Sequence, residues 1–404
     1  MNEDVYFKKE LSFRYHRQEM RFRVSQDLFS SYQIDIGTQF LLRTIISEFG
    51  TDSFSKILDL GCGYGTIGLT LMKLNPDCVA HMIDRDALAI EYTRQNAGLN
   101  GIRGAEIYRS LGFDDVTDSD FDLIISNIPG KAGKPVISGF LQDAAVFLKK
   151  GGMVAVVVIT PLEETVKSLL ESMNDVEVLF QKNRSGHVVF FYKFMDRTDE
   201  QEPPDAGGYD RGIYRRNNLE VSFVGLNYRI RTAFDLPEEE VPDRRSELLI
   251  EYIDDMNNPA TNSILLFNPG QGHVAIAAWK QLNPDNLSLV DRDLLSLRVT
   301  ESNLLLNECP GDRIRLYHRT GISTDTPRSA DMVIGTIREE EGVKAINADI
   351  SRIAEELIPG GKALLSASST AITRIVTALQ NQNSFIVRKR EKRKGNSLLI
   401  LDRR

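Results

Sequence analysis

The strongest constraint on this chain is that it contains one plan twice. ILDLGCGYGTIGLTLMKLNPD begins at Ile57 and ILLFNPGQGHVAIAAWKQLNPD at Ile264, a displacement of 207 residues (57 to 264). The same displacement carries Gly63 onto Gly270, Gly65 onto Gly272, Asp84 onto Asp291 and Asn100 onto Asn307. The tripeptide DRD recurs at 84–86 and 291–293. Displaced by two more residues, FDLIISNIP (121–129) falls on ADMVIGTIR (330–338), and SGHVVFF (185–191) on KGNSLLI (394–400). Self-similarity sustained with such small gaps means two homologous domains.

Each copy alternates apolar runs of strand length with amphipathic segments of helical period, the pattern of βαβ units and a parallel sheet. The strands of the first copy read KILDLG, VAHMID, AEIYRS, FDLIISN, MVAVVVI and a closing HVVFFYKF. The expected architecture is α/β: two tandem Rossmann-like domains, each a mostly parallel seven-stranded sheet with an antiparallel closing strand. Alternating polar and apolar stretches at 10–24 and 219–232 predict a hairpin ahead of each. MDRTDEQEPPDAGGYDRG (195–212) is acidic, with Pro and Gly pairs and no hydrophobic period, so it reads as a connection. The expected division is 1–197, a linker at 198–212, and 213–404.

Composition narrows the function classes. No apolar run approaches the roughly 20 residues of a membrane span, and the first residues lack a signal-peptide core. Three cysteines and five scattered histidines give neither a disulfide framework nor metal-ligand spacing, so no metal is expected. A reducing cytoplasm and a monomer are the simplest expectations. A net charge of −8 excludes a chain coated in positive charge, though not a local basic face.

LDLGCGYGTIG (58–68) follows a strand and opens a helix. Gly61, Gly63 and Gly65 let the backbone turn tightly and approach a ligand, while the helix N-terminus offers free N–H groups. Asp84 ends the next strand, where a carboxylate can accept hydrogen bonds from vicinal ribose hydroxyls, with Arg85 beside it. Such a loop also suits NAD. Two features favour S-adenosylmethionine: the sequence is not GxGxxG, and Asp59 suits an ammonium group rather than a pyrophosphate. Cys62 lies within the loop but has no local His or Asn partner, so it reads as a small residue in a tight turn. Ser110 and Leu111 follow the third strand, where this fold contacts an adenine ring. Thr38 and Gln39 are candidates to close over the methionine end.

The fourth strand ends in FDLIISNIPGKAG (121–133). An sp2 amine is a weak nucleophile, because its lone pair is delocalised. An Asn127 side-chain carbonyl and the Ile128 backbone carbonyl could each accept an N–H and aim the nitrogen at a methyl group. Together with LDLGCGYG, this strand end resembles class I S-adenosylmethionine-dependent methyltransferases that modify planar nitrogens. It is most similar to the two-domain small-subunit ribosomal RNA guanine-N2 methyltransferases, whose D-x-G-[ST]-x-x-L-L stretch is matched by DIGTQFLL (35–42). The resemblance implies one competent and one degenerate domain, S-adenosylmethionine as cofactor, and Asn127, Ile128 and Pro129 as the catalytic turn. Two departures accompany it: the family's Asn-Pro-Pro-aromatic turn reads Asn-Ile-Pro-Gly here, and the competent copy comes first. Phe29, Tyr32 and Tyr64 could supply stacking in place of the aromatic, or serve as packing.

In the second copy Asp59 becomes Leu266, Gly61 becomes Asn268, Asn127 becomes Thr336 and Pro129 becomes Arg338. That domain is expected neither to bind the cofactor well nor to catalyse. Basic strips with interleaved aromatics at 13–23 and 211–216, and VRKREKRK at 387–394, suit an RNA backbone and unpaired bases, or simply solvated charge. The expected activity is N-methyl transfer to an exocyclic amino group of ribosomal RNA. A protein amide or small-molecule nitrogen as acceptor, and a non-catalytic binding protein, remain alternatives.

Overall fold

FDLIISN becomes a strand buried at every position but its last, as a parallel strand covered by helices on both faces must be. In the computed structural model, which describes residues 4–195, 206–238, 240–256, 261–380 and 383–404, it is the sixth strand of the first of two units. That unit is Phe7–Tyr214; the second comprises Arg215–Arg404 together with the N-terminal residues up to Tyr6.

The first unit opens with a hairpin, β1 (Phe7–Tyr15) and β2 (Gln18–Ser25), followed by helix α1 (Ile36–Phe49). There follow β3 (Lys56–Leu60), α2 (Thr66–Leu74), β4 (Val79–Asp84), α3 (Ala87–Leu99), β5 (Glu106–Arg109), β6 (Phe121–Asn127) and α4 (Lys134–Phe147). The unit closes with β7 (Leu148–Ile159), α5 (Glu163–Glu171), β8 (Val176–Arg184) and β9 (His187–Phe194). The sheet order is β5-β4-β3-β6-β7-β9-β8. β3 to β7 pair in parallel, and β9 runs antiparallel between β7 and β8. The order reverses direction beside β3, so the carboxyl ends of β3, β4 and β6 open the crevice where such sheets hold ligands.

The second unit repeats the plan. Its hairpin is β10 (Arg215–Phe223) and β11 (Leu226–Ala233), followed by α6 (Arg244–Asp255), β12 (Ser263–Phe267), α7 (His273–Leu282), β13 (Asn286–Asp291) and α8 (Leu294–Leu306). Then come β14 (Ile314–His318), β15 (Ala330–Thr336), α9 (Val343–Glu356), β16 (Leu357–Ser368), α10 (Ser369–Leu379), β17 (Phe385–Arg393) and β18 (Asn396–Arg403), in the order β14-β13-β12-β15-β16-β18-β17. Alternation along β12 divides its core: Ile264 and Leu266 pack with α6, α7 and α8, and Leu265 and Phe267 with α9 and α10.

The same polar devices hold both copies. Asn96 and Asn100 present their amides to the β2 backbone, accepting from Arg23 N–H (2.7 Å) and Arg21 N–H (2.9 Å) and donating to the same residues' carbonyls. Asn303 and Asn307 do this for Arg231 and Arg229 of β11. Each hairpin edge thereby has its backbone groups satisfied by side chains.

Of the stretch expected as a linker, 198–205 lies outside the described residues. Residues 207–212 are anchored to the first unit: Gly208 and Tyr209 donate N–H groups to Asp114 (2.6 and 3.0 Å), and Arg211 pairs with Asp143. Their composition lacks a core of its own, but carboxylates elsewhere in the unit supply the partners.

Candidate functional site

The loop after β3 turns through Gly61, Gly63 and Gly65, all in the left-handed region at φ +78°, +59° and +89°. Gly65 has no room to change, since a Cβ there would lie 2.7 Å from Leu69 Cδ1 and 2.9 Å from Thr93 Cγ2. At Gly61 and Gly63 a Cβ would meet nothing within 4 Å, so open space faces the loop. The loop is tied from behind: Gly61 and Cys62 donate to Ile83 O (both 2.9 Å), and Thr93 Oγ1 donates to Gly63 O (2.8 Å).

Two carboxylates flank that space. Asp59 is 1% exposed; its Oδ2 accepts the Gly68 N–H at 2.9 Å, and its Oδ1 is buried without a hydrogen-bond partner. Burial pushes the carboxyl up to about 7, opposed by the Gly68 N–H and reinforced by the charge of Asp84. Asp84 accepts Gly63 N–H through Oδ2 and Asp86 N–H through Oδ1, both at 2.9 Å. Burial raises it to about 6, with Asp86 adding to the rise and Arg85 partly offsetting it. An orphaned buried carboxylate oxygen calls for a cationic donor. Asp59 therefore fits the ammonium of S-adenosylmethionine, the bare glycine loop fits its close approach, and Asp84 fits its ribose.

The remaining candidates sort by their partners. Cys62 is buried, and its thiol is pushed well above the ordinary range by burial and by Asp84 and Asp59, which suits a packing role. Ser110 Oγ donates to Gly112 O (2.7 Å) and accepts from Asp115 N–H (3.1 Å), while Leu111 N–H donates to Asp115 Oδ2 (3.0 Å). Asp115 thus shapes the turn that carries both residues. Sequence reading passed over it, although the acidic pair in GFDDV was visible.

Asn127 ends β6, and its Nδ2 donates to Asp35 Oδ2 and to Thr38 Oγ1, each at 3.0 Å. Asp35 also caps α1, accepting Thr38 N–H at 2.8 Å, while Gln39 donates to Ile34 O (2.9 Å). Asp35 was not among the sequence candidates. Ile128 donates its N–H to Val157 O (3.0 Å), and Pro129 O accepts from Ala132 N–H (3.1 Å), which fixes the turn. Where the family's turn carries an aromatic, a Cβ on Gly130 would lie 3.0 Å from Ile159 Cδ1, so Ile159 of β7 reaches into that space. Of the three candidate stacking rings, Tyr64 is buried, whereas Phe29 and Tyr32 are 72% and 74% exposed. Lys8 Nζ stands 3.1 Å above the Tyr32 ring.

The sequence and the fold that carry this site are similar to those of known proteins. The family model of the methyltransferase small domain matches residues 19–189. The chain is 32% identical over 191 residues to YbxB of Bacillus subtilis, covering 45% of this chain and 90% of that protein. The chain belongs to the methyltransferase small-domain family. It is also 34% identical over 163 residues to ribosomal RNA small subunit methyltransferase C of Haemophilus influenzae, covering 39% of this chain and 47% of that enzyme, about half its length. The T. thermophilus 16S rRNA N2 methyltransferase RsmC, solved with AdoMet and guanosine, shares the fold across 98% of both chains, with a TM-score of 0.68 at 16% identity.

Within this methyltransferase fold the second copy of the site is filled. Asn268, in the place of Gly61, sits at φ +50° and donates Nδ2 to Thr336 O at 2.9 Å. A Cβ on Gly270 would lie 3.2 Å from Glu238 Oε2, where its counterpart Gly63 faces open space. Arg338, in the place of Pro129, reaches Asp291 Oδ1 at 2.6 Å, and Arg292 pairs with Glu341 at 3.1 Å.

The basic strips differ in the same way. Arg14 and Arg17 near the tip of the β1–β2 hairpin have no ion-pair partner among the described residues, and Arg21 pairs loosely with Glu10 at 3.5 Å. In 211–216, Arg211 is held by Asp143. In β17, Arg388 pairs with Asp402, Lys389 with Glu391, and Arg393 with Glu251 and Glu391. No described helix is long and apolar enough to cross a membrane.

Proposed function

We propose that this chain transfers a methyl group from S-adenosylmethionine to the exocyclic N2 of a guanine in small-subunit ribosomal RNA, with the first unit catalytic and the second a docking platform. Asn127 beside a cofactor-shaped loop carries the reading. The Asn127 Oδ1 and the Ile128 carbonyl accept the two N–H groups of the target amine, which orients its lone pair and favours positive charge building on it. Asp59 holds the cofactor's ammonium, Asp84 its ribose, and Gly61, Cys62, Gly63 and Gly65 its backbone-facing edge. Arg85, Ser110 and Leu111 line the nucleoside end, and Thr38 the methionine end. The cofactor supplies an electrophilic methyl on a sulfonium. The amine nitrogen forms the new C–N bond as the C–S bond breaks, and the nitrogen then loses one proton to water.

Ribosomal RNA as acceptor is supported by the names of the relatives, by the exposed Phe29 and by the exposed Tyr32 beneath Lys8, features suited to unpaired bases on a charged backbone. Such a substrate places the protein in the cytoplasm. Ile159 replaces the missing aromatic as the apolar wall against the base. The test is to incubate the full chain with methyl-labelled cofactor and, in parallel, undermodified ribosomal RNA, assembled small subunits and protein extract. Label in guanine N2 of RNA is expected. Label confined to protein would move the substrate, and none in any pool would remove the enzyme reading.

A further inference from the structure

The reaction above needs an acceptor, not a donor, on the edge of Asn127 that faces the substrate, and an amide can present either. A carboxylate can only accept hydrogen bonds, so the edge of Asn127 that meets Asp35 Oδ2 at 3.0 Å must be its NH2. The second Nδ2 contact, Thr38 Oγ1 at 3.0 Å, lies on the same edge. Both donors are thereby spent within the protein, and Oδ1 is turned the other way. Asp35 is itself fixed, because the same Oδ2 caps α1 through the Thr38 N–H. Gly37 between them leaves little room: a Cβ there would lie 2.7 Å from His187 Cδ2 and 3.0 Å from Asp35 Oδ2, side-chain atoms that would have to shift. The D-x-G-T stretch thus brings a carboxylate and a hydroxyl, 92 and 89 residues away in sequence, onto one side of one amide.

We propose that Asp35, assisted by Thr38, is a positioning residue for methyl transfer: it locks the Asn127 amide with Oδ1 toward the acceptor nitrogen and polarises it. Donation from Nδ2 to an anion moves electron density onto Oδ1, so that oxygen becomes a stronger acceptor for an amine gaining positive charge. The flipped amide would set an NH2 against an NH2. This inference rests on the methyl-transfer reading for its rate effects, but its geometry is testable without a substrate.

In the full chain, Asp35→Ala is expected to lower kcat about 10²-fold, the scale of a misaligned reacting group, with cofactor affinity changed less than about twofold. Asp35→Asn, which still caps α1 and still offers an oxygen to Nδ2 but no charge to polarise it, is expected to recover part of that rate. Thr38→Val leaves the Asp35 carboxylate in place and is expected to give a smaller fall. The double variant Asp35→Ala/Asn127→Ala should be no slower than Asn127→Ala alone, because Asp35 acts through that amide. Falls that multiply, or Asp35→Asn as slow as Asp35→Ala, overturn the proposal. Independently of turnover, the Asn127 side-chain amide protons should exchange slowly in the ¹H–¹⁵N spectrum and become fast in Asp35→Ala. Equal exchange in the two proteins overturns the proposal, while slow exchange in an unmutated chain that methylates nothing leaves it standing and removes only the substrate reading.

Discussion

The two glycine loops share a backbone and differ in what stands before it. Thr93 ties the first through Gly63 O, and Thr300 ties the second through Gly270 O, at 2.8 and 3.3 Å. Both helices begin after a left-handed glycine. Before the first loop are open space and Asp59 Oδ1, buried and unpartnered; before the second are Glu238, Asn268 and Arg338, the last on Asp291 Oδ1, while Asp291 Oδ2 is likewise buried without a partner. Losing Asp59 and the Asn turn did not leave the second site empty, because Asp291 was retained at 2% exposure and a buried carboxylate demands a partner. Arg338 supplies it. A copied site without the Asp and Asn groups of the first can be filled by its own side chains, whose charges then serve the fold.

The largest effect that sharpens this contrast is at the strand end. Asn127→Ala should reduce methyl transfer about 10²- to 10³-fold, the usual cost of one oriented acceptor or donor at developing charge, with cofactor binding intact. Thr336→Asn in the second unit should restore nothing, since Asn268 and Arg338 fill the space. Methylation carried out by the second unit in an Asn127→Ala background would end the division of labour.

Next is the internal plug. Arg338→Ala strands Asp291, whose side chain is 1% exposed against 23% for Arg338. The expected cost is about 3 kcal/mol in the second unit, at the lower end for breaking a buried pair because the guanidinium is partly solvated. Denaturation followed by a probe in that unit reads it. Replacing both residues by leucine should recover much of the loss. If Arg338→Ala unfolds at the natural midpoint, the pair is ornamental and the plug is not what stabilises the copy.

Asp59 contributes a pH dependence. Its folded pKa of about 7 lies above the ordinary 3.8, so the folded state holds a proton that the unfolded chain has released. Stability from this group is full at low pH and is lost as pH rises from about 4 to 7. Bound cation reverses the preference by favouring the carboxylate. The thermal shift given by S-adenosylmethionine should therefore be larger at pH 7.5 than at pH 5.5. Asp59→Asn should weaken the cofactor by about 2 kcal/mol, roughly 30-fold, and flatten that pH dependence. A shift independent of pH in the unmutated protein would detach Asp59 from the ammonium.

What was legible in the sequence follows from distance along the chain. The parallel sheet, the glycine loop, Asp59, Asp84 and Asn127 lie within local apolar runs or at their ends, where period and turn chemistry speak directly. Asp35 and Asn127 are 92 residues apart, so nothing local tells which partner orients the amide. Arg338 read only as a lost proline, because its partner Asp291 is 47 residues away. Phe29 and Tyr32 have the composition of core residues, yet the segment before α1 leaves both exposed.

The smallest effect expected concerns charge, and it separates the two basic strips. VRKREKRK has the densest charge in the sequence, but Arg388 and Arg393 already face Asp402, Glu251 and Glu391, whereas Arg14 and Arg17 face no acid among the described residues. A cation that must leave a carboxylate to meet a phosphate returns part of what it gains, so strip density overstates its contribution. Each phosphate neutralised adds about 0.9 to the salt slope of binding on a duplex and about 0.7 on a single strand. Arg14→Ala/Arg17→Ala should thus lower the slope for ribosomal RNA by between one and two. Arg388→Ala/Arg393→Ala should lower it by less than one, with affinity falling only a few-fold. Titrations of RNA binding across 50 to 200 mM salt distinguish them. An equal or larger loss at β17 would mean that its ion pairs open on binding, and would give the second unit, rather than the hairpin of the first, the larger share of the RNA backbone.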